Sequence, residues 1–331
     1  MALARRTPKL GLALGSGSAR GWSHIGVLRA LQEAGIQPDV VCGSSIGALV
    51  GAAYAAGELE RFADWVLGLG MRDVFGFMDF NLAGGMLKGE KLISFWRRNF
   101  ADFDIENAPR PFAAVATDLH SGAEVWLRDG SIADAVRASI ALPGLFTPVL
   151  RDGRMLVDGG LVNPVPASLA RAMGADIVIA VDLNADILQR HMQPLEVQSP
   201  EVVQSTAEVG LPPKSATAMA AASASESPAP APWTTRLLSM LPGVGSGAAP
   251  QSAAASSLPT PSVLDVVMTS VNIMQMRITR SRMAGDPPEL VIAPRLAHLG
   301  LLDFHRAQEA IDAGYAATQA ALPGLAHWLP A

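Results

Sequence analysis

Apolar and polar positions switch repeatedly between two periods along the first 190 residues. "KLGLALG" is a short apolar run closed by glycine and reads as a buried strand. Residues 21–34 place Ile25, Leu28 and Leu31 on one helical face and stop at Gly35, a helix with a terminating glycine. "DVVCG" repeats the strand signal, and residues 46–56 form a second helix of small residues ending at Gly57. A helical region rich in Trp and Phe covers 58–100. "FAAVATDL" and "AEVWLR" then read as strands, 131–140 as a helix and "RMLVD" as a strand. "NPVPASLARAMG" is a helix leading into the strand "ADIVIAVDL". Apolar strands separated by helices imply an α/β fold with a mainly parallel sheet covered on both faces.

The alternation stops at 193–262, where Pro, Ala and Ser fill more than half of the positions. Such a segment buries too little apolar area to offset its ordering entropy, which predicts a mobile insertion. Inside it, "WTTRLLSML" clusters Trp233, Leu237, Leu238, Met240 and Leu241, a group suited to an interfacial anchor, a lid or a small packed cluster. Periodicity resumes with a helix over 263–283, a strand "ELVIAP" and a helix over 305–321. Val263, Val266, Val267, Val271 and Met274 recur at helical spacing and are expected to face the core. Arg277, Arg280 and Arg282 then answer the helix dipole. The closing strand and helix are too little to fold alone, so one domain over 8–320 interrupted by the insertion is expected.

Composition narrows the function classes. Half of the residues are hydrophobic and 17% are charged, enough for a sizeable core. A net charge of −5 without a Lys/Arg run gives no basis for a nucleic-acid partner or a polybasic membrane patch. Cys42 is the single cysteine, and the six histidines show no ligand spacing, so neither a disulfide nor a metal or other cofactor is expected. The apolar core of the N-terminus is about six residues, short of the roughly 7–15 of a secretory signal, which points to a cytoplasmic start. Val40 to Gly57 is uncharged, but its glycines and serines fit a strand, turn and helix better than a membrane span.

Two glycine turns carry the chemistry. In "GLALGSGSARGWSHIG" a strand passes into a helix, yet the third position of a dinucleotide loop holds Arg20. The second turn, "GSSIG", matches G-x-S-x-G at Gly43, Ser45 and Gly47 between a strand and a helix, the setting of a nucleophile elbow. Ser45 is the candidate nucleophile and Ser44 its neighbour without a role. A serine nucleophile needs preorganised donors for an oxyanion, and successive amides at a helix start provide them. The first turn supplies them through the amides of Gly17 and Ser18, helped by Ala19, with Gly15 at the base of the loop. Arg20 holds the loop or meets an anionic head group. The base has two sources. A hydrolase histidine would come from His298 or His305, but 44 residues before Ser45 leave room for only two strands, fewer than such folds place there. A carboxylate base would be Asp158, at a strand end before two glycines, with Asp129, Asp152 and Asp303 as rivals in turns. His24 on the first helix reads as a packed structural histidine.

Together, "GSGSARG", "GSSIG" and "DGG" in this order resemble the patatin-like phospholipases, including the bacterial branch related to neuropathy target esterase. "ATDLHSG", "RASIALPGLFTPV" and "DGGLVNPVP" extend the resemblance over residues 8–185, and it resumes over 263–320. It implies a three-layer α/β/α sandwich, a Ser45–Asp158 dyad without a catalytic histidine, and an oxyanion hole from Gly15 to Gly21. Many relatives carry a glycine where this chain has Ser18, which implies a smaller or altered pocket. The implied chemistry is metal-free hydrolysis of acyl esters, typically of phospholipids or lysophospholipids. The implied partner is a lipid or other acyl ester, with peripheral membrane contact. A histidine-triad esterase, a nucleotide-binding module and a non-catalytic regulatory protein on the same fold are the competing readings.

Overall fold

Alternate residues of each central strand feed two different cores. The computed structural model describes residues 7–73, 89–100, 102–186, 263–325 and 327–328. Its first half runs β1 (Leu10–Leu14), α1 (Ser23–Glu33), β2 (Val40–Ser44), α2 (Ile46–Ala55), α3 (Leu59–Leu67) and α4 (Glu90–Asn99). It continues with β3 (Phe112–Asp118), β4 (Glu124–Leu127), α5 (Ile132–Ser139), β5 (Val149–Arg151), β6 (Arg154–Asp158), α6 (Ala167–Ala172) and β7 (Ile177–Val181). After the Pro/Ala/Ser-rich segment come α7 (Val263–Gly285), β8 (Leu290–Ile292) and α8 (Ala307–Leu325). The expected insertion at 193–262, with its Trp233 to Leu241 cluster, lies outside the described residues, as do 74–88.

The strands form one sheet in the order β5-β6-β3-β2-β1-β7-β8, with β4 also paired to β3. From β3 to β8 all pairings are parallel, as expected of apolar strands joined by helices. The other end is antiparallel: β4 and β6 oppose β3, and β5 opposes β6, so the sheet is mixed. Strand β5 is too short to show a period. Its turn is legible, because Asp152 and Gly153 both have positive φ (49° and 74°) between paired Arg151 and Arg154. That geometry is the two-residue hairpin turn that Asp-Gly favours.

Leu10, Leu12 and Leu14 of β1 join the larger core with α1, α2 and α3, whereas Ala13 points to a smaller core under α6. Strand β7 divides likewise, Ile177, Ile179 and Val181 on one side and Val178 on the other. Side-chain alternation along a strand thus produces the two covered faces of an α/β/α sandwich. Helices α1 and α8 cross through reciprocal glycines. A Cβ on Gly26 would collide with the Ile311 carbonyl, and one on Gly314 with that of Ser23. Only glycine allows backbones this close.

Helix α7 departs from the sequence expectation. Met268, Met276 and Thr279 are buried, but Val266, Val267, Ile273 and Met274 are exposed. Periodicity marks a helix's apolar face without saying what that face meets.

Candidate active site

The sheet brings two distant turns together by sharing one edge. Residues 114 and 115 of β3 pair with both β2 and β4, and residues 116 and 117 with both β4 and β6. A strand has only two edges, so β2 and β6 lie end to end along the same one. Ser44 stands opposite Val115 and Asp158 opposite Ala116. The residue after β2 is Ser45, and β6 ends at Asp158. The Ser45 hydroxyl consequently donates to Asp158 Oδ2 at 2.5 Å.

Ser45 has φ 56° and ψ −125°, a backbone state that side-chain-bearing residues rarely adopt. Its neighbours permit this turn: a Cβ on Gly43 would strike Gly47 and Ala48, and one on Gly47 would strike Leu14 and Gly15. Buried Ser139 fixes the turn, accepting from the Ser45 amide at 2.9 Å and donating to the Val115 carbonyl at 2.7 Å. Asp158 is held at every polar atom. Oδ1 accepts from the Gly160 amide (2.7 Å), the backbone carbonyl accepts from Thr117 Oγ1 (2.8 Å), and the amide donates to Ala141 (2.9 Å). Burial raises its pKa to about 7, against the opposing pull of the Ser45 and Gly160 hydrogen bonds.

The first glycine turn lies beside this pair. Gly15 and Ser16 donate their amides to the Val181 and Pro164 carbonyls, Ala19 to Leu301, and Arg20 to Gly17. Among the described residues, the amides of Gly17 and Ser18 have no such backbone partner, and both residues line the same pocket as Ser45. This narrows the sequence-derived donor set. Gly15 and Ala19 belong to the scaffold of the turn. Arg20 is buried, its Nε bonded to the Gly17 carbonyl at 3.2 Å and Nη2 to Asn272 Oδ1 at 3.2 Å. Burial lowers its pKa to about 10, although Asp186 and Asp182 oppose the shift. Of the two expected roles for Arg20, these bonds are those of a residue tied into the loop. Ser18 has φ 54°, and its hydroxyl donates to the Leu301 carbonyl at 2.6 Å.

The pocket above Ser45 is apolar over most of its wall, with Trp22, Leu49, Leu142, Phe146, Val271 and Phe304 among its lining residues. Its polar end gathers Ser16, Ser18, Ser45, Asp158, Asn272 and Gln275. Asn272 and Gln275, both on α7, and the Leu301 carbonyl were not legible as site groups in the sequence. Gln275 Oε1 accepts from Ser16 Oγ at 2.9 Å, joining α7 to the glycine turn.

The rival groups lie elsewhere. Neither His298 nor His305 lines the pocket; both are exposed, and His298 faces Glu309 at 3.7 Å. Asp129 and Asp152 pair with Arg151, and Asp303 with Arg306. His24 is fully buried with Nε2 on the Gly15 carbonyl at 2.8 Å, and burial lowers its pKa to about 4.

The arrangement has recognisable kin. The profile described as patatin-like phospholipase matches residues 12–171. Proteins named uncharacterized NTE family proteins, from Mycobacterium bovis and Mycobacterium tuberculosis, are 38% identical over 333 aligned positions, covering 95% of this chain and 91% of theirs. The human patatin-like phospholipase domain-containing protein 6 is 40% identical over 185 positions, 53% of this chain and 13% of that protein. With near-complete coverage at this identity, the chain belongs to the patatin-like phospholipase family, alongside the NTE family proteins.

Proposed function

We propose that the protein is a serine acyl hydrolase that cleaves carboxyl esters of lipids through an acyl-enzyme on Ser45. The observation that carries this reading is the 2.5 Å contact between Ser45 Oγ and Asp158 Oδ2 at the polar end of an otherwise apolar pocket. In the first half-reaction, Ser45 Oγ bonds to the ester carbonyl carbon and its proton passes to Asp158. The amides of Gly17 and Ser18 receive the developing oxyanion. The carbon–oxygen bond to the leaving alcohol then breaks, and Asp158 returns the proton to that alcohol. In the second half-reaction, water attacks the acyl carbonyl and gives one proton to Asp158. Ser45 leaves as the alkoxide and regains that proton. The acyl chain occupies the apolar wall, and phospholipids or lysophospholipids are the substrate class that the family points to.

Labelling with a fluorophosphonate, followed by peptide mapping, tests the nucleophile directly. Modification is expected on Ser45 and lost in Ser45→Ala. Asp158→Asn is expected to lower kcat/KM on a soluble ester by at least about a thousandfold, because an amide takes up no proton. Turnover near the wild-type rate in either variant overturns the dyad. No labelling of an active preparation at Ser45 overturns the acyl-enzyme.

A further inference from the structure

Helix α7 has two contrasting faces. Met268, Val271, Asn272 and Gln275 line the pocket, and at 100° per residue they fall on one side of the helix. The other side carries Val266, Val267, Ile273 and Met274, which are 49%, 43%, 45% and 51% exposed. Arg277 and Arg280 extend the same outer face toward the C-terminal end and are exposed too. An outer helix face normally carries polar residues, so four large apolar side chains there need a counterpart. Other exposed apolar residues neighbour pocket-lining positions in the chain: Leu67 and Met71 flank Leu69, and Leu302 follows Leu301.

We infer that the outer face of α7 seats on a lipid surface and holds the pocket against it. The inference rests on the lipid-ester reading above and names the surface from which that substrate is drawn. One helix whose inner side walls an apolar pocket and whose outer side is apolar separates that pocket from a second apolar phase. The order of residues along the outer face fits such an interface. Apolar side chains enter the boundary between head groups and acyl chains, and long arginines reach phosphate. In a chain of net charge −5, two exposed arginines beside that apolar face make a local site for anionic head groups. Among the described residues no helix is long and apolar enough to cross a membrane, so the seat lies along the surface.

The single cysteine, Cys42, is buried, which leaves a cysteine introduced at Ser270 as the accessible thiol. Ser270→Cys labelled with an environment-sensitive fluorophore reports the outer face without any turnover. Its emission is expected to shift to the blue on adding phosphatidylcholine vesicles, more strongly with phosphatidylglycerol included. Val266→Ser, Ile273→Ser and Met274→Ser together are expected to weaken vesicle binding by about tenfold or more, with soluble-ester kcat/KM unchanged. Arg277→Gln is expected to remove part of the preference for phosphatidylglycerol. A blue emission that fades on dilution without vesicles means that a second copy covers the face. A blue emission at every dilution means that the chain itself covers it. Either result overturns the inference, as does vesicle binding that the triple variant leaves intact. Ser45→Ala separates the two proposals: it abolishes turnover if the acyl-enzyme reading holds, and it leaves vesicle binding in place whether or not that reading survives.

Discussion

Asp158 sits where a buried carboxylate must be both destabilised and held. In the dyad proposed above the ionised form is the one that would take the Ser45 proton, and burial raises its pKa to about 7. Accordingly kcat/KM on a soluble ester is expected to rise through an apparent pKa near 7 and to fall tenfold per unit on the acid side. A rate independent of pH between 5 and 8 contradicts that assignment. Stability runs the other way. The folded pKa lies above the ordinary 3.8, so the stabilisation from this group is complete below about pH 4 and is lost as pH rises through 7. Asp158→Asn removes the buried charge and is expected to stabilise the fold at pH 8 by on the order of 4 kcal/mol, seen as a higher Tm, because burial carries the pKa from 3.8 to about 7. That gain should vanish at pH 4. Ser18 offers a second residue-scale test, since its positive φ opposes its hydrogen bond to Leu301. Ser18→Gly relieves the backbone and loses the bond, whereas Ser18→Ala keeps the strain and loses the bond. Pre-steady-state acylation is expected to rank wild type first and Ser18→Ala last, with Ser18→Ala slower than wild type by about tenfold. An Ala variant faster than Gly sinks this account.

At the level of elements, the legible features were those whose signal is local. A glycine turn between a strand and a helix marks Ser45 as a candidate nucleophile, whereas Asp158 stands out from Asp129, Asp152 and Asp303 only when the three glycine motifs are read together as a family resemblance. The end-to-end meeting of β2 and β6 has no sequence signature, because it arises from which edge of β3 each strand takes. Asn272 and Gln275 escaped notice because their place in the pocket depends on how α7 docks after a long interruption. Leu301 acts through a carbonyl, which every residue possesses. The valine stripe of α7 misled for a related reason, since an apolar face can meet lipid as well as protein. The crossing of α1 and α8 was equally silent, as Gly26 and Gly314 look unremarkable in separate helices. Gly314→Ala is expected to cost about 2 kcal/mol or more in a denaturant titration, because the Ser23 carbonyl must give way. An unchanged midpoint means that the two helices are not in contact at this point.

Seen whole, the sheet places its chemistry on strands from the first half of the chain and mounts part of it on the last sixty residues. Leu301 accepts from both Ser18 and Ala19, and Trp22 Nε1 donates to the Phe304 carbonyl at 3.0 Å. Strand β8 extends the sheet beside β7, and α8 closes over α1. The order of synthesis then acquires meaning. On the ribosome, Ser45 and Asp158 emerge long before the carbonyl that steadies the turn beside them. A stalled nascent chain ending at residue 290 should therefore resist a fluorophosphonate that labels the released protein. On that expectation translation itself would act as a timer, keeping the proposed centre idle until its last supporting loop has been made.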